Sequence, residues 1–172
     1  MYKRQGSALR KILKFNEKTT GYIEERKSEM NLPVDYIAVH IRRGDKIVSR
    51  EMKELGLSLY IDAVKGKKHI SRNVFIATDD SSVKDELKSI LVAEGFNVYC
   101  NTAVTQTGFD ESLFNTKDKK SRYIDTLNML LDMDILIHSS FFIGTYTSNV
   151  SRIVPLYVGF GKSLSLDDEW KL

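Results

Sequence analysis

The sequence predicts an α/β fold, a doubly wound parallel sheet with helices on both faces. Segments with strand character alternate with segments of helical periodicity along most of the chain. Three of the strand-like segments close on polar clusters, "HIRRGDK", "ATDD" and "GTYTSN". No internal repeat, low-complexity tract or Pro/Gly linker divides the 172 residues, a length that suits one domain. A chain of this size can bury roughly 70% of the surface its unfolded form exposes, enough for a real core.

The elements follow in order. Ser7 to Met30 reads as helix with a break near Asn16. Leu9, Ile12, Leu13 and Phe15 give it one apolar side, and Pro33 ends the region. Tyr36 to Ile41 is rich in β-formers and reads as the first strand, and Leu57 to Lys65 as the next helix. Asn73 to Ala77 is the second strand. Ser81 or Ser82 is placed to cap a helix running to about Glu94, with Gly95 as its stop. "FNVYC" is a third strand, and Asn101 to Lys117 is polar and reads as a loop. Lys119 to His138 is a long helix with Ile124, Leu127, Leu131 and Ile135 on one stripe. "FFIGT" is the fourth strand, Thr147 to Ile153 starts another helix, and "LYVGF" reads as the last strand.

Composition narrows the function. A net charge of +3 permits a local anionic ligand but does not suggest nucleic-acid coating. Cys100 is the single cysteine, so no internal disulfide or thiolate metal cage is expected, and it reads as a half-buried structural residue. Lys11, Lys14 and Lys18 interrupt the apolar runs near the start, leaving no signal-peptide core and no membrane span. The expected location is soluble and cytoplasmic, or the Golgi lumen or secretory pathway should the chain be a piece of a longer one.

In doubly wound sheets ligands bind beyond the carboxyl ends of the strands, so the three polar clusters are expected to meet in one cleft. Arg42 and Arg43 leave the first strand together. Guanidinium groups stay charged and offer a rigid fork of donors to an anion, and a structural pairing of Arg43 with Asp45 is equally expected from the cluster alone. His40 by itself reads more readily as a satisfied core histidine. Asp79 and Asp80 precede a helix and suit capping, and no further ligands are spaced to complete a metal site. Thr145, Thr147, Ser148 and Asn149 lie at a helix start, where hydroxyls and free N–H groups suit a phosphate, although plain capping is the better explanation of this segment taken alone. Neither GxxxxGK[ST] nor GxGxxG is present. Asp132 and Asp134 interrupt an apolar helix segment, and the pattern does not say which faces inward.

Together, "VHIRRGDK", "FIATDD" and "LLDMDILIHSSFFIGTYTSNVSR" resemble the three motif regions of the α1,6-fucosyltransferases, over roughly Asp35 to Pro155. The resemblance implies a Rossmann-like nucleotide-sugar-binding domain over residues 35–172, preceded by a helical lead-in over residues 1–34. By the same resemblance that domain would be one half of a two-domain glycosyltransferase (GT-B) architecture. It implies a GDP-fucose donor, a glycan or oligosaccharide acceptor, inversion at the transferred carbon, and neither metal nor other cofactor. By position, His40 and Asp132 would hold guanine. Arg42 would bind the β-phosphate with the Thr147 and Ser148 hydroxyls. Arg43, Asp45, Asp79 and Asp80 match residues the family needs for activity, and Lys46 matches a lysine that assists the acceptor base. The base itself falls on Glu51, once a one-residue insertion is allowed for. The motif's threonine is Gly44 here.

Two other functions compete with transfer. A non-catalytic GDP or GDP-sugar-binding module of a larger protein would show no fucose turnover. An interaction domain with no small ligand would leave a GDP titration flat.

Overall fold

The computed structural model describes residues 14–45, 49 and 54–170. In chain order the elements are α1 (Glu17–Met30), β1 (Ile37–Ile41), α2 (Leu57–Gly66), β2 (Asn73–Thr78), α3 (Ser81–Ala93), β3 (Asn97–Cys100), α4 (Glu111–Thr116), α5 (Lys119–Ile137), β4 (Phe141–Gly144), α6 (Asn149–Val158), a 3₁₀ turn (Phe160–Lys162) and β5 (Ser163–Ser165). The five strands form one all-parallel sheet in the order β3-β2-β1-β4-β5. The chain steps outward from β1 to β3, then returns to the other side of β1 for β4. That reversal opens a crevice beyond the carboxyl ends of β1 and β4.

β1 is buried along its whole length, as the middle strand of a sheet covered on both faces must be. Its side chains alternate. Ile37, Val39 and Ile41 pack with Tyr60 and Val64 of α2 and with Leu87 and Leu91 of α3. Ala38 points the other way, toward Leu131 and Ile135 of α5 and Val154 of α6. Each such aliphatic side chain contributes about 1.5–3 kcal/mol on full burial. His40 lies on the Ala38 face, so the strand period itself carries an imidazole under α6.

Helix α1 belongs to this second layer. Ile23 enters the core, Lys27 Nζ lies 3.0 Å from Asp134 Oδ2 of α5, and the Tyr22 hydroxyl donates to Asn128 Oδ1 at 3.0 Å. Asn16 is its N-cap, accepting from Thr19 N–H at 2.9 Å, which places the break expected near that residue.

Three sequence expectations are corrected. The cap of α3 is not Ser81 or Ser82 but Asp80, in keeping with the capping reading of the Asp79–Asp80 pair, and it accepts from the Ser82 and Val83 N–H groups at 2.9 and 3.2 Å. The stretch from Asn101 to Lys117 holds a short helix, α4, capped by Asp110. "LYVGF" is not a strand: α6 continues through Pro155 to Val158, and the last strand is Ser163–Ser165. An interior proline removes a helical hydrogen bond, but buried Val154 and Tyr157 hold that turn against the core. Among the described residues no helix is long and apolar enough to cross a membrane.

Candidate functional site

A cleft of about 780 Å³ opens beyond the strand ends. One side is formed by His40, Arg42 and Asp79 at the ends of β1 and β2. The start of α6 supplies Thr147, Ser148 and Asn149, and α5 supplies Asp132. The far wall is apolar, with Phe109 and Phe114 from the segment between β3 and α5.

Arg42 is held from three directions. Its Nη2 donates to Asp45 Oδ1 at 2.8 Å, its Nη1 lies 3.1 Å from Asp79 Oδ2, and its guanidinium sits 5.0 Å from the centre of the Phe109 ring. Asp79 also accepts the backbone N–H groups of Arg43 at 2.7 Å and Phe109 at 2.9 Å. One carboxylate therefore ties β1, β2 and the Phe109 wall together. The Gly108 N–H donates to the Asp79 carbonyl at 3.0 Å, and the Asp45 N–H to the Phe109 carbonyl at 3.0 Å.

Two glycines allow this approach. Gly44 (φ 69°) and Gly108 (φ 86°) face each other in left-handed conformations. A Cβ on Gly44 would lie 2.3 Å from the Phe109 carbonyl oxygen, and one on Gly108 2.6 Å from Gly44 Cα. Gly144 serves differently. A Cβ there would lie 2.7 Å from Ser151 Oγ, so its absence lets α6 close on β4. Ser151 Oγ then reaches His40 Nδ1 at 2.8 Å and fixes the imidazole. Burial, reinforced by the Arg42 charge, pushes the His40 pKa down to about 3, so the ring is neutral at physiological pH.

Asp132 and Asp134 diverge. Asp134 pairs with Lys27 on α1, while Asp132 faces the cleft half-buried, accepting from Asn101 Nδ2 at 3.3 Å. Desolvation raises the Asp132 pKa to about 7 against that single hydrogen bond. Near neutrality this carboxyl gains or loses a proton readily.

The remaining expected residues sit elsewhere. Arg43 is buried with Nη2 donating to the Leu55 carbonyl at 2.8 Å, behind the cleft wall. Asp45 acts on Arg42, and Asp80 on α3. Thr145 is buried off the cleft, its hydroxyl without a hydrogen-bond partner. Thr147 lines the cleft, but its hydroxyl donates to Asp167 Oδ2 at 2.6 Å. Lys46 and Glu51 lie outside the described residues. Among the described residues no group of three or more His, Cys, Asp or Glu is placed to hold a metal ion.

Sequence reasoning passed over Phe109, Phe114 and Asp167. The available signals were a Gly-aromatic pair, "GF", inside an otherwise polar stretch, and a carboxylate pair after the short "SLSL" run.

Residues 5–155 match the family described as alpha-(1,6)-fucosyltransferase N- and catalytic domains. No curated sequence is significantly similar to the chain. Among solved structures, NodZ alpha-1,6-fucosyltransferase soaked with GDP-fucose superposes with a TM-score of 0.55 at 22% identity, over 84% of this chain and 43% of that one. The selenomethionine form of fucosyltransferase NodZ from Bradyrhizobium gives 0.57 at 21% identity, over 84% and 43%. POFUT1 in complex with GDP gives 0.60 at 16% identity, over 95% and 49%. At these identities the likeness is one of fold, and the chain spans less than half the length of each of these three structures.

Proposed function

Because the chain belongs to the alpha-(1,6)-fucosyltransferase family, we propose that its cleft binds GDP-fucose and serves the transfer of fucose to a sugar hydroxyl of a glycan or oligosaccharide. The observation that carries this reading is the meeting of His40, Arg42, Asp132 and the start of α6 in one cleft. Guanine presents N–H donors on one edge, and in this reading an ionised Asp132, which lines the cleft, accepts from them. Neutral His40 offers its Nε2, since Nδ1 is engaged by Ser151.

The diphosphate falls between Arg42 and α6. The first-turn N–H groups of a helix have no helical acceptor and carry a partial positive charge. Ser148, the N-cap of α6, makes no capping bond with its side chain, so its hydroxyl is available. Thr147 lines the cleft but donates nothing to the phosphate, because its hydroxyl and its N–H are both engaged by Asp167. In the transfer step the acceptor hydroxyl attacks the anomeric carbon and the bond to the diphosphate breaks. Attack opposite the leaving group inverts that carbon. Charge builds on the departing GDP, and in a metal-independent reaction Arg42 and the α6 N–H groups must stabilise it. Glu51 remains the proposed base, assisted by Lys46.

Calorimetric titration with GDP, with UDP and ADP as controls, tests the donor site. Selective GDP binding is expected. Arg42→Ala should weaken it about 10- to 100-fold, the loss of a charge-assisted contact worth about 1.5–3 kcal/mol. A folded chain that ignores GDP, or an Arg42→Ala variant that binds it unchanged, overturns the proposal.

A further inference from the structure

We infer that Asp167 is a positioning residue for the diphosphate end of the cleft, a carboxylate that holds the β4–α6 loop in its binding shape from outside. The inference rests on the donor-site reading above. Asp167 lies beyond the family-matched residues 5–155, just after β5, and does not line the cleft.

Its hydrogen bonds carry the argument. Oδ1 accepts the Tyr146 N–H at 2.6 Å, the Ser165 hydroxyl at 2.8 Å and the Asp168 N–H at 2.9 Å. Oδ2 accepts the Thr147 N–H at 3.1 Å and the Thr147 hydroxyl at 2.6 Å. Two successive loop amides and one hydroxyl, donors that an anion in the cleft could otherwise attract, are thus turned away from it. On the opposite edge of the loop, Arg152 Nε donates to the Tyr146 carbonyl at 2.9 Å and its guanidinium covers the Tyr146 ring at 5.0 Å. The loop is gripped on its N–H edge by Asp167 and on its C=O edge by Arg152. Ser148 and Asn149, the next two residues, face the cleft.

The physical consequence is pre-organisation. Ordering a backbone residue is unfavourable, and a loop already ordered by folding leaves none of that ordering to the ligand. Burial alone would raise the Asp167 carboxyl, but its hydrogen bonds from Thr147, Ser165 and the loop amides hold it below the usual range. It is therefore a full negative charge near the phosphate end, and repulsion from it opposes anion binding. Positioning and repulsion have opposite signs, so one measurement separates them.

The test compares wild type with Asp167→Asn, which removes the charge and nearly preserves shape. Affinities for GDP and for guanosine are measured by calorimetry, and amide hydrogen exchange is followed at Tyr146 and Thr147. The expected result is faster exchange at both amides and GDP affinity lower by about tenfold, the size of one backbone residue's ordering, with guanosine affinity unchanged. Unchanged or tighter GDP binding means the carboxylate is only a nearby repulsive charge, and overturns the inference. Equal losses for GDP and guanosine mean a general structural role, and also overturn it. If Asp167→Asn does not fold, Ser165→Ala is read by the same ratio. A selective loss of GDP affinity supports the inference, and no change refutes it. A wild-type chain that binds no GDP defeats the donor-site reading itself and takes this inference with it, whereas wild-type binding with an indifferent variant defeats the inference alone.

Discussion

Replacing Gly44 with alanine places a methyl group 2.3 Å from the Phe109 carbonyl oxygen and 2.5 Å from its nitrogen. Both neighbours are backbone, so no side-chain rotation relieves the overlap. The left-handed conformation of Gly44 (φ 69°) adds about 1–2 kcal/mol for any residue with a Cβ. Moving the Phe109 segment away breaks the bond from Asp45 N–H to the Phe109 carbonyl, worth about 1 kcal/mol, and the bond from Phe109 N–H to Asp79, worth about 1.5–3 kcal/mol. The expected loss is about 4–6 kcal/mol, a large part of the stability of an ordinary domain. The same shift takes the Phe109 ring from beneath Arg42, so GDP affinity should fall as well. Urea unfolding followed by far-UV circular dichroism measures the first effect. Gly161→Ala is the control, because a Cβ there meets nothing within 4 Å, and it should change stability by less than about 0.5 kcal/mol. A Gly44→Ala variant that loses less than about 1 kcal/mol and binds GDP normally would refute the account of this loop. Threonine at this position adds β-branching to the same collision and should be worse still.

Two further expectations concern pH. The Asp132 carboxyl is raised to about 7, and the guanine contact proposed for it requires the ionised form, so GDP affinity should rise as pH increases through about 7. Asp132→Asn should bind more weakly with that component of the pH dependence gone, and calorimetry from about pH 5.5 to 8 compares the slopes; equal slopes sink the assignment. The His40 pKa is lowered from 6.5 to about 3, so the unfolded chain takes up a proton that the folded one refuses. Its contribution to stability is fully present above about pH 6.5 and is lost as pH falls toward 3. Wild type should therefore lose stability relative to His40→Asn between pH 7 and pH 5, measured as urea midpoints; parallel profiles count against a buried neutral imidazole.

Long, strongly patterned segments were legible in the sequence. β1, β2 and β4 are runs of β-formers with polar ends, and α5 shows Leu127, Leu131 and Ile135 on one buried stripe. β5 was not legible, since Ser-Leu-Ser has no pattern of its own and is a strand only because β4 offers an open edge. The strand expected at "LYVGF" failed for a related reason: Pro155 disfavours a continuing helix by intrinsic propensity, and burial of Val154 and Tyr157 overrides it. Placement of the candidate site was legible as far as strand ends can tell. Which of Asp132 and Asp134 faces inward depends on α1, whose Lys27 claims Asp134. The Phe109 wall depends on two glycines 64 positions apart that meet only in the fold. Asp167 depends on a strand that the sequence did not announce.

The charge around Arg42 bears on how such a cleft handles an anion. One guanidinium lies between two carboxylates, so the trio is net negative, the opposite of a site that works by attraction alone. What the carboxylates supply is orientation. An arginine side chain carries about 2 kcal/mol of rotamer freedom, and here Asp45, Asp79 and Phe109 have already removed it before a ligand arrives. Its N–H groups not held by the carboxylates then form a fixed fork, and the free amides at the start of α6 stand across the cleft as partial positive charges that no carboxylate of the trio cancels. Asp167 repeats the device on that side, a negative charge whose geometry matters more than its sign. Both walls thus accept a local electrostatic cost to fix where the donors point. That arrangement favours a group whose charge grows in place during a reaction over one that needs only to be attracted, which is the demand a departing diphosphate makes.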